Sequence, residues 1–231
     1  MKKILVTRKL INSSEELAKK LFEVKLNKED KILSKEELIK ASEGCDAILS
    51  SITEKFDSNL ISNTSGCGTT LKDYGFIFRW DDDMKKKAKK ISELTKDISE
   101  YLDENVKLNF IKNKENTKGY KIAYHSACSM QHGQKIHNVP MNLIKKTGNK
   151  VFDIPQGHFC CGSAGTYNLL QNDIAEKLLK NKILNINKVN PEFIATGNIG
   201  CITQISNGTR IPILHTVEVI DWYTGGPNQK L

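Results

Sequence analysis

From about residue 120 onward one order repeats: an apolar run of strand length, a turn rich in Ser and Gly, then a stretch with helical periodicity. "KIAYH" leads into "SACS", "NKVFDIP" into "QGHFCCGSAG", and "PEFIAT" into "GNIGC". Helical patterns follow in "KIHNVPMNLIKKTG", after Pro140, and in "TYNLLQNDIAEKLLKNKILNINK", where Leu169, Leu170, Ile174, Leu178 and Ile183 are expected to share an apolar face. "IPILHTVEVIDW" closes the series. Strands separated by helices of this length need crossover connections, which predicts a parallel sheet with right-handed crossovers.

The alternation also gathers cysteines. Cys128, the Cys160–Cys161 pair and Cys201 each fall just after a predicted strand, in the pattern C-x31-CCG-x38-C. In a parallel sheet those turns share the carboxyl edge, where ligands bind. Four thiolates at one edge are the donor set of an iron–sulfur cluster or a structural zinc. The compact CxxC pairs usual in zinc sites do not occur here. A strained vicinal disulfide or a redox thiol is the further reading of the pair. Gly157, Gly162, Gly165 and Gly200 flank the cysteines and are expected to let backbone amides donate to sulfur. His125, His132 and His158 lie nearby and are read as packed or hydrogen-bonded residues ahead of ligands. Tyr74, Tyr124 and Tyr167 are read equally as core aromatics. "NTSGCGTT" around Cys67 is similar to "GNIGCITQ" around Cys201, so Cys67 reads as the closing cysteine of an earlier copy. Cys45 reads as a small buried core residue.

Residues 1–62 carry a shorter α/β rhythm. "KILVTRKL" is a strand, "NSSEELAKKLFEV" a helix capped by Ser13 or Ser14 with Leu17, Leu21 and Phe22 on one face, and "CDAILSS" a second strand. "LSKEELIKASEG" opens with a capping box, Ser34 to Glu37, and stops at Gly44. No third strand is expected before this lobe ends. Residues 63–80 read as a Gly-rich turn around Cys67 feeding an amphipathic stretch. "DDDMKKKAKKISELTKDISEYLDEN" reads as one long polar helix with Ala88, Ile91, Leu94 and Ile98 at helical spacing, and 111–119 as a surface linker.

The net charge is +8, but the lysines are spread along the chain among acidic residues. Solvated helix faces account for that pattern, and no nucleic-acid partner is expected. The apolar runs are of strand length, too short for a membrane span, and the basic start "MKKILVTRKL" is too short and too interrupted for an export signal. The chain is therefore expected in the cytoplasm, where clustered cysteines point to metal or redox chemistry rather than a disulfide framework.

"NTSGCGTTLKDYGFIFRWDDDMKKKAKKISELTKDISEYL", "IAYHSACSMQHGQKI", "HFCCGSAGTYNLLQNDIAEKL" and "ATGNIGCITQISNGT" resemble the C-terminal half of the iron–sulfur subunit of bacterial glycolate oxidase, over about residues 63–222. That group is part of the wider cysteine-rich CCG family, which includes heterodisulfide reductase subunits. The resemblance implies electron transfer: flavin-containing glycolate oxidase subunits oxidise glycolate to glyoxylate, and this subunit passes the electrons on without substrate chemistry of its own. Attachment to the inner membrane would come only through that complex. The resemblance also implies an iron–sulfur cluster, of the 4Fe–4S kind, on Cys128, Cys160, Cys161 and Cys201, with Cys67 assigned to a second site. Two departures stand out. The ferredoxin-like segment with its CxxCxxC-type motifs and the start of a first CCG unit are missing, and Cys201 is followed by Ile-Thr-Gln204 where heterodisulfide reductase relatives have CxxC.

Residues 1–62 resemble instead the opening of a D-2-hydroxyacid dehydrogenase of the glyoxylate reductase type, without the G-x-G-x-x-G that would bind a nicotinamide cofactor. The expected architecture is thus α/β with small parallel-sheet lobes and flanking helices. Its parts are a truncated dehydrogenase-like lobe (1–62), the tail of a first cysteine-rich unit with a helical connector (63–119), and a complete CCG domain (120–231). The chain reads as a fusion or fragment of two family pieces. A dehydrogenase-like enzyme and a zinc-stabilised binding module are the competing functional readings.

Overall fold

The computed structural model describes residues 2–10, 12–45, 47–49, 60–111 and 119–227. The chain divides into two compact units, Met1–Ser58 and Asn59–Leu231. Both are mixed α/β with parallel sheets, as the alternation requires.

In the first unit, strands β1 (Lys3–Val6), β2 (Glu23–Leu26) and β3 (Ala47–Leu49) form a parallel sheet in the order β2-β1-β3, with helices α1 (Asn12–Leu21) and α2 (Lys35–Ser42) as connections. This is one strand more than expected. The helix over "NSSEELAKKLFEV" ends at Leu21, because "EVKL" alternates exposed Glu23 and Lys25 with half-buried Val24 and Leu26 and takes the ladder of β1. Leu21 is exposed. Helix α2 has the expected capping box on Ser34 and Glu37, and the chain turns away at Gly44 with φ +70°. Cys45 is half-buried rather than core, its thiol facing the Ala41 carbonyl.

The second unit opens with β4 (Leu60–Ser62), so the division falls at residue 58 and β4 pairs forward. The predicted strand end Ser50–Ser51 and most of the linker, residues 112–118, lie outside the described residues. Helix α3 (Ser65–Ile77) contains Cys67 within its first turn, where a loop was expected. The long polar helix is in fact two. Helix α4 (Lys85–Leu94) gives way to β5 (Thr95–Asp97), which pairs in parallel with β4, and α5 (Ile98–Asn105) follows. The break has a local cause: buried Asp97 caps α5 by accepting from the Ser99 N–H at 2.9 Å, and Glu100 completes a capping box.

The main sheet is parallel throughout, in the order β7-β6-β8-β9, from β6 (Lys121–His125), β7 (Lys150–Asp153), β8 (Phe193–Thr196) and β9 (Ile213–His215). Alternation along the strands sorts its two faces. Ile122, Tyr124, Phe193, Ala195 and Leu214 pack under α6 (Asn138–Lys146) and α10 (Thr216–Tyr223). Ala123, Ile194 and Ile213 pack under α8 (Asn172–Val189) and α9 (Ile199–Ser206), together with Cys161 and Cys201. Of the expected apolar face of the α8 region, Ile183 packs against the core and Leu178 is half-buried, but the rest is not the buried stripe. Leu169 and Leu170 belong to a separate short helix, α7 (Tyr167–Leu170), and are exposed, as is Ile174. Ala175, Lys182, Asn185, Ile186 and Val189 face inward instead, at spacings of seven, three, one and three residues. The small Ala175 lets α8 approach the CCG turn, so the polar residues on that stripe are carried into the interior.

Candidate metal centre

Chain order around the sheet reverses between β6 and β8. From β6 the chain goes out to β7, then returns past β6 to β8 and on to β9. Such a switch point leaves a crevice at the carboxyl ends of the two central strands. Cys128 follows β6 and Cys201 follows β8, so both flank it. Cys160 and Cys161 arrive on the turn after β7. The buried thiols of Cys161 and Cys201 lie 3.5 Å apart, with Cys161 donating, and Cys128 and Cys160 are hydrogen-bond neighbours. The Gly162 N–H donates to the Cys160 sulfur at 3.3 Å. All of these thiols are free.

Packing four thiols together makes them share protons unevenly. The Cys128 thiol first, then Cys161 and the Gly162 amide, hold Cys160 far below the ordinary thiol range. The Cys161 thiol, and then the neighbouring His125 ring, lower Cys201. Cys128 is pushed up by Cys160 and by burial, and Cys161 by Cys160, Cys201 and burial.

His125, the last residue of β6, points at the same place. Its ring nitrogen and the Cys161 and Cys201 sulfurs lie within 4.8 Å of one another, and the residue is buried. Neither ring nitrogen has a hydrogen-bond partner among the described residues. Lys182 is also buried, at 1% exposure, and its Nζ donates to the Gly157 carbonyl at 3.3 Å. Burial lowers its pKa while Cys161, Cys128, Cys160 and Cys201 draw it back up. His132 and His158 are exposed, His158 stacking near Phe159. Tyr124 is core, Tyr74 packs edge-on against Phe78, and Tyr167 is half-buried.

The turns are fastened to one another. Cys128 opens a wide helical turn of π type, Ser129–Gln134. Gln131 on that turn donates to the Ser126 and Gly157 carbonyls at 2.6 and 3.2 Å, joining the Cys128 and Cys160 segments. Buried Ser65, at the start of α3, donates its N–H to the Gly197 carbonyl at 3.1 Å, receives Asn198 Nδ2 at 2.9 Å, and shares a hydroxyl bond with Ser129 at 2.7 Å. Gln134 Nε2 donates to the Ser65 carbonyl at 2.9 Å. Cys67 sits two residues further on and is exposed; like Cys128 and Cys160 it lies outside the tight group of His125, Cys161 and Cys201.

Residues 122–206 match the family model of the cysteine-rich CCG domain. The C-terminal part of the chain carries a CCG domain. The chain is similar to the glycolate oxidase iron–sulfur subunit of Escherichia coli (strain K12), 35% identical over 164 residues, which cover 70% of this chain and 39% of that protein. It is also similar to lactate utilization protein A of Geobacillus sp. (strain WCH70), 26% identical over 70% of this chain and 69% of the relative, and to that of Geobacillus thermodenitrificans (strain NG80-2), 26% identical over 71% of each. The dehydrogenase-like reading of residues 1–62 finds no support among these relatives. No described helix is long and apolar enough to cross a membrane.

The donors around the CCG turn suit a thiolate-bound metal or cluster: four free sulfurs from three turns, a buried histidine without a partner, and a buried cation facing them. His125 reads in the sequence as a packed residue ahead of a ligand, and Lys182 does not stand out there at all. Signals for both existed. His125 shares the strand face of Ala123, two residues earlier, and Lys182 shares the helix stripe of Ala175 and Val189, seven residues to each side.

Proposed function

We propose that this chain is an iron–sulfur electron-transfer module of the glycolate oxidase type. In this reading it works in the cytoplasm, takes electrons from a flavin-containing partner that oxidises a small 2-hydroxy acid, and hands them on. Residues 120–231 are the cofactor-binding CCG domain, and residues 63–119 are the tail of a related unit with its connector. Cys128, Cys160, Cys161 and Cys201 are the ligands of a 4Fe–4S cluster. A cluster of this kind supplies one-electron transfer when bound. The residues around it bind it, exclude water from the Cys161 and Cys201 side, and donate the Gly162 N–H to sulfur. Cys67 is kept as a candidate ligand of a second site. The chain spans 39% of the length of the Escherichia coli glycolate oxidase iron–sulfur subunit, so partners and substrate are proposed here on likeness alone.

The convergence of four free thiols on the β6–β8 switch point carries this reading. Anaerobic reconstitution with iron and sulfide tests it. Broad absorption near ~400 nm, with iron and sulfide bound, is expected for thiolate–iron clusters. Cys161→Ser and Cys201→Ser should reduce bound iron severalfold. Metal analysis of protein purified without oxygen separates this from the zinc module, which the same Cys and His donors would also accept. Zinc in the wild type with no iron uptake would overturn the proposal. So would NAD(P)H-dependent glyoxylate reduction by the chain.

A further inference from the structure

A lysine inside a protein is expensive unless an anion accompanies it. Lys182 has none of the usual kind. It forms no ion pair among the described residues, and a single main-chain carbonyl, that of Gly157, accepts from its ammonium group. The site is built around it nonetheless. Gly157 precedes the Cys160–Cys161 pair on the same turn, and its carbonyl is shared with Gln131 from the Cys128 segment. The charged groups that act on Lys182 are Cys128, Cys160, Cys161 and Cys201, all four of the converging thiols. With a divalent ion or an iron–sulfur cluster bound, all four become thiolates, and the centre carries net negative charge.

We propose that Lys182 is the buried counter-charge of the thiolate-bound centre: it strengthens binding of the anionic centre and makes the centre easier to reduce. The second half rests on the iron–sulfur reading; the first needs only four thiolates around a cation. Each added electron places one more negative charge near a fixed positive one in a medium of low dielectric, where such interactions are least screened. Removing the ammonium therefore disfavours the reduced state more than the oxidised one.

The test has two arms, each on the full chain with Lys182→Met and Lys182→Arg. First, cadmium ion alone is titrated against a competing chelator and followed by its thiolate absorption. Lys182→Met is expected to bind about tenfold more weakly, and Lys182→Arg to return close to wild type. Second, the reconstituted protein is titrated potentiometrically. Lys182→Met should lose about tenfold in its reduction equilibrium, a midpoint ~59 mV more negative for one electron. Lys182→Arg should stay near the wild-type midpoint. Equal cadmium affinity and equal midpoint in Lys182→Met would overturn the proposal. So would an arginine variant that falls as far as the methionine one, since that marks a packing role. Should the methionine variant not fold, Lys182→Gln is read in its place. A wild-type chain that binds cadmium but takes up no iron–sulfur cluster sinks the electron-transfer reading, and the cadmium arm still decides on Lys182.

Discussion

Gly162 is the residue on which the CCG turn depends. Its φ is +98°, a region that side chains rarely enter, and a Cβ there would run into the Ala175 carbonyl oxygen of α8. Gly162→Ala is expected to lower stability by at least about 1–3 kcal/mol from backbone strain alone, read by urea unfolding of the metal-free protein, and to abolish iron uptake. Amides donating to sulfur are expected near the flanking glycines, and the Gly162 N–H does so. A glycine in a sequence does not say why it is there. Gly157 supplies a carbonyl, and Gly200 allows close approach of Ser163, whose Oγ would lie 2.8 Å from an added Cβ. Asp97 makes a second prediction at this scale. Burial raises its pKa, and its Oδ2 has no partner among the described residues. A carboxyl raised in the folded state contributes stability below its unfolded pKa of about 3.9, and that contribution is lost as pH rises through the folded value. Asp97→Asn keeps the cap and removes the charge. It should unfold at higher urea than wild type at pH 7 and show no such advantage at pH 3.5. An equal advantage at both values would show that the ionised carboxylate is not what burial penalises.

At the scale of elements, the weak likeness between the segments around Cys67 and Cys201 becomes a repeated arrangement. β4 and β8 each lead into a helix with Gly-Cys at its second and third residues. Each pairs in parallel with a following strand, β5 or β9. Each of those ends in a capping-box residue, Asp97 with Glu100 or His215 with Glu218. The sequence carried the Gly-Cys signal but hid the rest, since Thr95–Asp97 has no apolar run to mark it as a strand and continues the helical spacing of its neighbours. The strand forms because β4 offers a ladder to it, information that lies more than thirty residues away. The two copies meet where Ser65 of α3 bonds Asn198 and Ser129. Ser65→Val should strand both partners and destabilise by about 1–3 kcal/mol. Pairing Ser65→Ala with Asn198→Ala should give a double-mutant coupling above about 0.5 kcal/mol; strictly additive losses would show that the bond does not join the copies.

On the scale of the molecule, every group of the proposed metal centre lies within Asn59–Leu231: Cys128, Cys160, Cys161 and Cys201, with His125 and Lys182. The parallel sheet and the order of its cysteine turns were legible from strand–turn–helix alternation, because that pattern reports topology directly. The boundary near residue 60 was legible only roughly, since a strand belongs to whichever sheet accepts it. The first unit has its own three-stranded sheet, but its buried apolar side chains among the described residues are Leu5, Val6 and Leu38. Below ~60 residues a core that small is marginal, whereas the second unit buries apolar side chains on both faces of a four-stranded sheet. Thermal unfolding of the full chain should therefore proceed in two steps, with the first unit melting at the lower temperature. Iron and sulfide bound by the second unit should raise only the upper transition, because a ligand stabilises the unit that holds it. A chain starting at Asn59 should keep the upper transition and the same visible spectrum. One cooperative transition that shifts as a whole on loading would show that the two units unfold as one.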